Sequence, residues 1–174
     1  MKLLTGVVRR WATLSVVIAL LMVFSGMNME AYAENTIRYE INSLGDEVYD
    51  KTTDLTWMRC SLGQIWKQDV GCFGPVMTFT FAQAQEQTTQ KWRVPTRVEL
   101  DTLVDRERMK KSVSPTIDVN AFPDMDMKHL IYWTSNHRDD GTWFGGEYVY
   151  FAYGTGGLTN GRNIFAVRMV RSGR

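Results

Sequence analysis

Three groups of residues in this sequence have types and spacings that could do chemistry. Asp124, Asp126 and His129 put two carboxylates and an imidazole within six residues, a set able to ligate a metal. A solvated acidic loop is the preferred reading of the same residues. Cys60 and Cys72 are the only cysteines and could form a disulfide, act as a redox pair or help to hold a metal. The third group is aromatic: Trp143, Phe144, Tyr148, Tyr150, Phe151 and Tyr153. It follows Asn136-His137-Arg138-Asp139-Asp140 and precedes Asn160, Arg162 and Asn163. Alternate side chains of a strand face opposite ways, so half of the aromatic set could point outward. Exposed rings stack on the apolar faces of sugars, and the arginine fork suits sulfate. The binding candidates are therefore Asn136, Arg138, Asp139, Trp143, Tyr150, Tyr153, Asn160 and Arg162. The plain alternatives are an aromatic core covered on both faces and ordinary polar turns. No nucleophile-and-base motif, His-rich set or phosphate-cradling glycine loop is found, so no catalytic or metal-binding residue is expected.

The chain that must position these groups has 174 residues and a formal net charge of +1. That length suits one domain, and the absence of a basic run argues against a nucleic-acid partner. At 44% hydrophobic and 12% aromatic residues it is not a disordered chain. Residues 1–33 differ from the rest. Lys2, Arg9 and Arg10 lead an uncharged stretch from Trp11 to Met29, which ends in Ala31-Tyr32-Ala33. This is the pattern of a secretory signal peptide cut after Ala33, with an uncleaved anchor as the rival reading. The apolar part is short of the roughly 20 residues that a membrane span needs. Without residues 1–33 the net charge becomes −1. In an exported chain the cysteine pair reads as a disulfide, stabilising by roughly 3 kcal/mol through loop closure.

The pattern along residues 34–174 is mixed and short. Residues 34–46 read as a leader or edge strand. Glu47–Asp50 and Leu55–Met58 read as a hairpin about the polar turn Lys51–Asp54. Cys60–Pro75 reads as an irregular loop. Thr80-Phe81-Ala82-Gln83 and Thr96-Arg97-Val98-Glu99 are capping boxes and start two helices. Residues 106–128 read as loop, and Leu130–Ser135 as a buried strand. A turn is expected at His137–Gly141, then one or two strands over residues 142–153 broken at Gly145-Gly146. Gly154–Gly161 reads as a glycine-rich turn, and Asn163–Arg171 as a closing strand covered on both faces. Trp57, Trp92 and Trp133 are assigned to the core because they fall inside the segments that carry the resemblance given next. The expected class is α+β: two short helices, a small and mainly antiparallel sheet, and long loops.

Five segments carry a resemblance. They are Asp50–Cys60; Lys91-Trp92-Arg93-Val94-Pro95-Thr96 with Glu99-Leu100 and Leu103-Val104-Asp105; Ile117-Asp118 with Ala121-Phe122-Pro123; Tyr132-Trp133-Thr134-Ser135; and Val167-Arg168-Met169-Val170-Arg171. Taken in this order, over about residues 45–172, they resemble the Lcl C-terminal domain family, named for a bacterial collagen-like adhesin. The resemblance places the domain at 47–174. It implies a C-type-lectin-like fold and an exported bacterial protein, periplasmic or at the cell surface. For the adhesin it implies binding of sulfated host glycans. No collagen-like tract precedes the domain, and Met169 stands where many members have Cys. No cofactor is expected: the Trp-Asn-Asp and Glu-Pro-Asn or Gln-Pro-Asp motifs with which C-type lectins hold calcium and sugar are missing, so calcium stays open with no motif behind it. Formylglycine-generating relatives use a cysteine pair near the C-terminal end, and no cysteine follows Cys72. The expected function is a non-catalytic ligand-binding module for a glycan or an anionic surface polymer. Two alternatives are kept: an envelope assembly protein that binds another protein, and an enzyme of the formylglycine-generating type of fold. No membrane contact is expected after signal cleavage, and the oligomeric state is left open.

Overall fold

A computed structural model describes residues 37–125, 128–142 and 144–174. The proposed signal segment, Asp126 and Trp143 lie outside the described residues. The unit Tyr39–Arg174 contains, in chain order, β1 (Tyr39–Ile41), β2 (Glu47–Asp50), β3 (Leu55–Met58), β4 (Ile65–Lys67), β5 (Gly71–Phe73), α1 (Phe81–Gln85), α2 (Arg97–Asp101), α3 (Arg106–Lys110), β6 (Ile131–Asp139), β7 (Phe144–Tyr150), β8 (Thr155–Asn160) and β9 (Val170–Ser172). Three antiparallel sheets result, with orders β1-β2-β3-β9, β4-β5 and β6-β7-β8. The α+β class is as expected, with three short helices where two were read.

The local rules explain most of this. The 47–58 hairpin pairs Val48 with Trp57 and Asp50 with Leu55, as its alternation requires. Both capping boxes are formed. Thr80 N–H donates to Gln83 Oε1 at 3.0 Å, and Thr96 N–H donates to Glu99 Oε2 at 2.8 Å. The third helix lies in the segment read as loop. Asp105 caps it by accepting from the N–H groups of Glu107 and Arg108. None of its residues is buried, so it carries no apolar stripe for a sequence reading to find.

The larger corrections involve glycine. β7 runs unbroken through Gly145-Gly146, because Gly146 makes room rather than a turn: a Cβ there would lie 2.0 Å from the Phe81 ring. The expected turn at Gly154–Gly161 is mostly β8. A Cβ at Gly156 would lie 2.2 Å from the Tyr148 carbonyl and 2.6 Å from Arg97. Only Gly154, at φ +65°, shapes the actual turn. β6 continues to Asp139, past the expected start of its turn. The Cys60–Pro75 loop holds the β4-β5 ladder inside the Cys60–Cys72 disulfide. The closing segment is buried from Ala166 to Val170 as expected, but only Val170–Ser172 joins a ladder.

The core has two parts. One gathers Trp57, Leu100, Ile117, Phe122, Tyr132 and Phe151; the other gathers Phe81, Trp92, Val94, Trp133, Val167 and Met169. The three tryptophans assigned to the core are indeed buried. Asp124 is not the solvated residue expected. It is fully buried and ion-paired at 2.5 Å with Arg168, which is also fully buried. Arg168 further donates to the carbonyls of Met58 and Arg59, at 2.8 and 2.6 Å. Asp124 accepts from the N–H and the hydroxyl of Ser61, and that hydroxyl lies 2.7 Å from the Tyr132 hydroxyl. Burial works against the charge on Arg168, but the Asp124 carboxylate outweighs it and holds the guanidinium protonated. Burial, with Asp124 adding to it, pushes the Tyr132 phenol up to about 12.

Removing one partner of such a pair leaves a buried charge uncompensated. Asp124→Asn is expected to cost about 3–5 kcal/mol in urea unfolding. The double change Asp124→Asn with Arg168→Met should recover part of that loss. A single variant as stable as the parent would remove the pair from any structural role. A thiol assay on unfolded, unreduced protein should find no free cysteine.

Candidate functional site

The residues singled out for binding do not meet in one place. Arg138 pairs in register with Gly145, and Gly145 with Asn160, so Arg138 and Asn160 share one end of the β6-β7-β8 sheet. Tyr150 pairs with Thr155 at the other end, about 17 Å along β7. Several of them serve local geometry instead. Asn136 Oδ1 accepts from the Arg97 N–H at 2.7 Å and ties β6 to the start of α2. Arg138 pairs with Asp140 at 2.9 Å, and Asp139 Oδ1 accepts from the Gly141 N–H within the turn. Asn160 Oδ1 accepts from the Arg162 N–H. Tyr150 and Tyr153 form an edge-to-face pair with centroids 5.2 Å apart; Tyr153 is exposed and Tyr150 half-buried. Arg162 is exposed. Of the metal-type set, Asp124 is committed to Arg168 and Ser61, Asp126 is outside the described residues, and His129 is half-buried.

A different region has the shape of a site. A cleft of about 580 Å³ opens between the start of β2, the end of β3, the stapled β4 segment and the entry to α2. This lies within the size range of ligand sites. Met58, Leu62, Ile65, Trp66 and Trp92 supply its apolar surface, and Asp46, Glu47, Gln64, Gln68 and Lys91 its polar groups. Its walls are fixed in three ways. The disulfide closes the loop that carries Trp66, and Cys60 itself lines the cleft. Gly45, at φ +81°, turns the chain between β1 and β2 and leaves room for the indole: a Cβ there would lie 2.5 Å from Trp66 Nε1. Arg59 lies 4.2 Å over the Trp66 ring while donating to the carbonyls of Gly45, Asn120 and Ala121.

The charges of the cleft are arranged in a chain. Lys91 Nζ lies 2.7 Å from Glu47 Oε1, and Arg171 lies 2.9 Å from Glu47 Oε2. Burial pushes the Glu47 carboxyl up, but these two cations overcome it and hold it below the usual carboxylate range. Glu99 is held low in the same sense: burial opposes, and Arg93 with the Thr96 cap prevails. Sequence reasoning missed this site because it looked for aromatic density. The available signal was different: Ile65-Trp66, two large apolar residues inside a short cysteine-closed loop, where no core can cover them fully.

Compared with known families, the model of the Lcl C-terminal domain matches residues 46–171. No curated protein matches the chain.

A carboxylate with a depressed folded-state pKa stabilises the fold above its unfolded value, and that contribution is lost as pH falls through the folded value. Stability should therefore decline as pH drops below about 4.3. Glu47→Gln should flatten that part of the curve, measured by urea unfolding at a series of pH values. An unchanged slope would show that the Lys91–Glu47–Arg171 chain contributes nothing to the fold.

Proposed function

The chain belongs to the Lcl C-terminal domain family, and from that premise we propose that it is an exported, non-catalytic ligand-binding module of the bacterial envelope or cell surface, with a glycan or other surface polymer as ligand. On this reading its fold is C-type-lectin-like, residues 1–33 direct export, and no cofactor is needed. The observation that carries the reading is the Trp66/Trp92 cleft. It alternates apolar surface with hydrogen-bonding side chains, the mixture that a sugar presents in return. The disulfide supports export, because such bridges persist in oxidising compartments. For the catalytic alternative, the Ser61 hydroxyl does donate to the Asp124 carboxylate, but both are buried and Asp124 is committed to Arg168, so this contact serves the core.

One observation favours the second reading, an assembly protein that binds another protein. Leu44, Ile65, Val70, Phe73 and Met77 are large apolar side chains, each more than 40% exposed, on or beside the cysteine-closed loop. Apolar surface of that kind is common at protein interfaces.

A glycan array and a heparin column, run with the oxidised exported protein, test the first reading. Binding should weaken about tenfold in Trp66→Ala, the scale of one lost aromatic contact, and stay unchanged in Arg162→Ala. The reverse ranking would return the site to the β6-β7-β8 sheet. A flat response together with a protein partner co-purifying from the envelope would favour the assembly reading.

A further inference from the structure

The nature of the ligand follows from the cleft, on the reading that the cleft is the ligand site. We propose that it takes an uncharged, hydroxyl-rich sugar chain and turns away sulfated and carboxylated ones. Three observations lead there.

The first is charge. The ionisable side chains lining the cleft are Asp46, Glu47 and Lys91. The single ammonium is already held by Glu47 at 2.7 Å. Asp46 accepts from the neutral amide of Asn42 at 2.7 Å and has no cationic partner among the described residues. The nearby guanidinium of Arg59 is committed to three backbone carbonyls and to the Trp66 ring. An anion entering the cleft would meet the Asp46 carboxylate and find no cation to spare, which is an arrangement that selects against it. Glu47, shared by Lys91 and Arg171, offers a cationic ligand nothing, which leaves it the Asp46 carboxylate alone, and the cationic arm of the test reads that contact directly.

The second is the kind of hydrogen bond on offer. Asp46 and Glu47 are acceptors only. Gln64 uses its Nε2 on the Gly74 carbonyl at 3.2 Å. Its Oε1 is buried without a hydrogen-bond partner among the described residues. Sugar hydroxyls donate, whereas sulfates and carboxylates only accept. The third is apolar surface. Arg59 covers one face of Trp66, yet the residue remains partly exposed and lines the cleft, beside Met58, Leu62 and Trp92. The C–H face of a neutral sugar ring matches such a surface.

The test is an array of neutral hexose and N-acetylhexosamine oligosaccharides, sulfated and uronate-containing chains, and chitosan oligomers, probed with the full oxidised chain at low and high salt. Neutral chains should bind with an affinity that salt leaves unchanged, and heparin should pass through a column of the protein. Trp66→Ala should lose about tenfold in affinity, and Trp66→Tyr, which keeps a ring, should retain most of it. Asp46→Lys should gain retention on heparin that the parent lacks. A preference for sulfated, uronate or cationic chains, or binding that collapses as salt rises, would overturn this inference and leave the module reading standing. Failure of every sugar class would overturn both.

Discussion

The structure depends on one buried ion pair. Arg168 comes from the segment that leads into the last strand, and Asp124 from the long connection between α3 and β6. Each alone would be prohibitively costly to bury. Together they join four parts of the chain: the exit of β3 through the Met58 and Arg59 carbonyls, the long connection through Asp124, β6 through Ser61 and Tyr132, and the approach to β9. The connection has little regular structure of its own, so its backbone is placed by what its side chains hold. Because Asp124 also accepts from the Ser61 N–H, the pair fixes the residue next to Cys60. Ser61 and Cys60 both line the cleft, so part of its lining is set from inside the core.

The rest of the cleft is built outward from these two residues. Arg59, adjacent in sequence to the disulfide, reaches forward to Asn120 and Ala121 and back to Gly45, and its guanidinium backs the Trp66 indole. The wall that carries Trp66 is thus held by a covalent bridge, a glycine in the left-handed region and a cation–ring contact. None of these needs a ligand to form. A preformed site of this kind avoids the ordering cost that a mobile loop would add to binding.

Local rules were legible in the sequence. The two Thr-x-x-Gln/Glu caps, the 47–58 hairpin and the cysteine pair are each decided by neighbours a few residues away, or by compartment, while the burial of Trp57, Trp92 and Trp133 was read from the family motifs that hold them. What was not legible depended on residues far away. Gly146 and Gly156 look like breaks until Phe81, Tyr148 and Arg97 are seen to occupy the space that a side chain would take. Asp124 reads as solvated because its partner lies 44 residues further on. The helix over Arg106–Lys110 had only its Asp cap to announce it. The cleft was illegible for the same reason: the binding candidates named from the sequence are close neighbours along the chain, whereas the cleft draws its lining from segments that meet only in the fold.

The pairing of β3 with β9 has a consequence for how the chain reaches this state. Thr56 bonds to the Gly173 carbonyl across 117 residues, and Trp57 pairs with Val170 at the end of the sequence given. Such distant closures are slow, because the entropy of the intervening loop is lost before any contact rewards it. Arg168, which neutralises Asp124, arrives only with that same late segment. A ribosome-bound fragment ending before it would hold a half-made core with an unmatched carboxylate inside. Closing the β3-β9 ladder and neutralising Asp124 are therefore a single event in folding, and neither half of the core is complete without it.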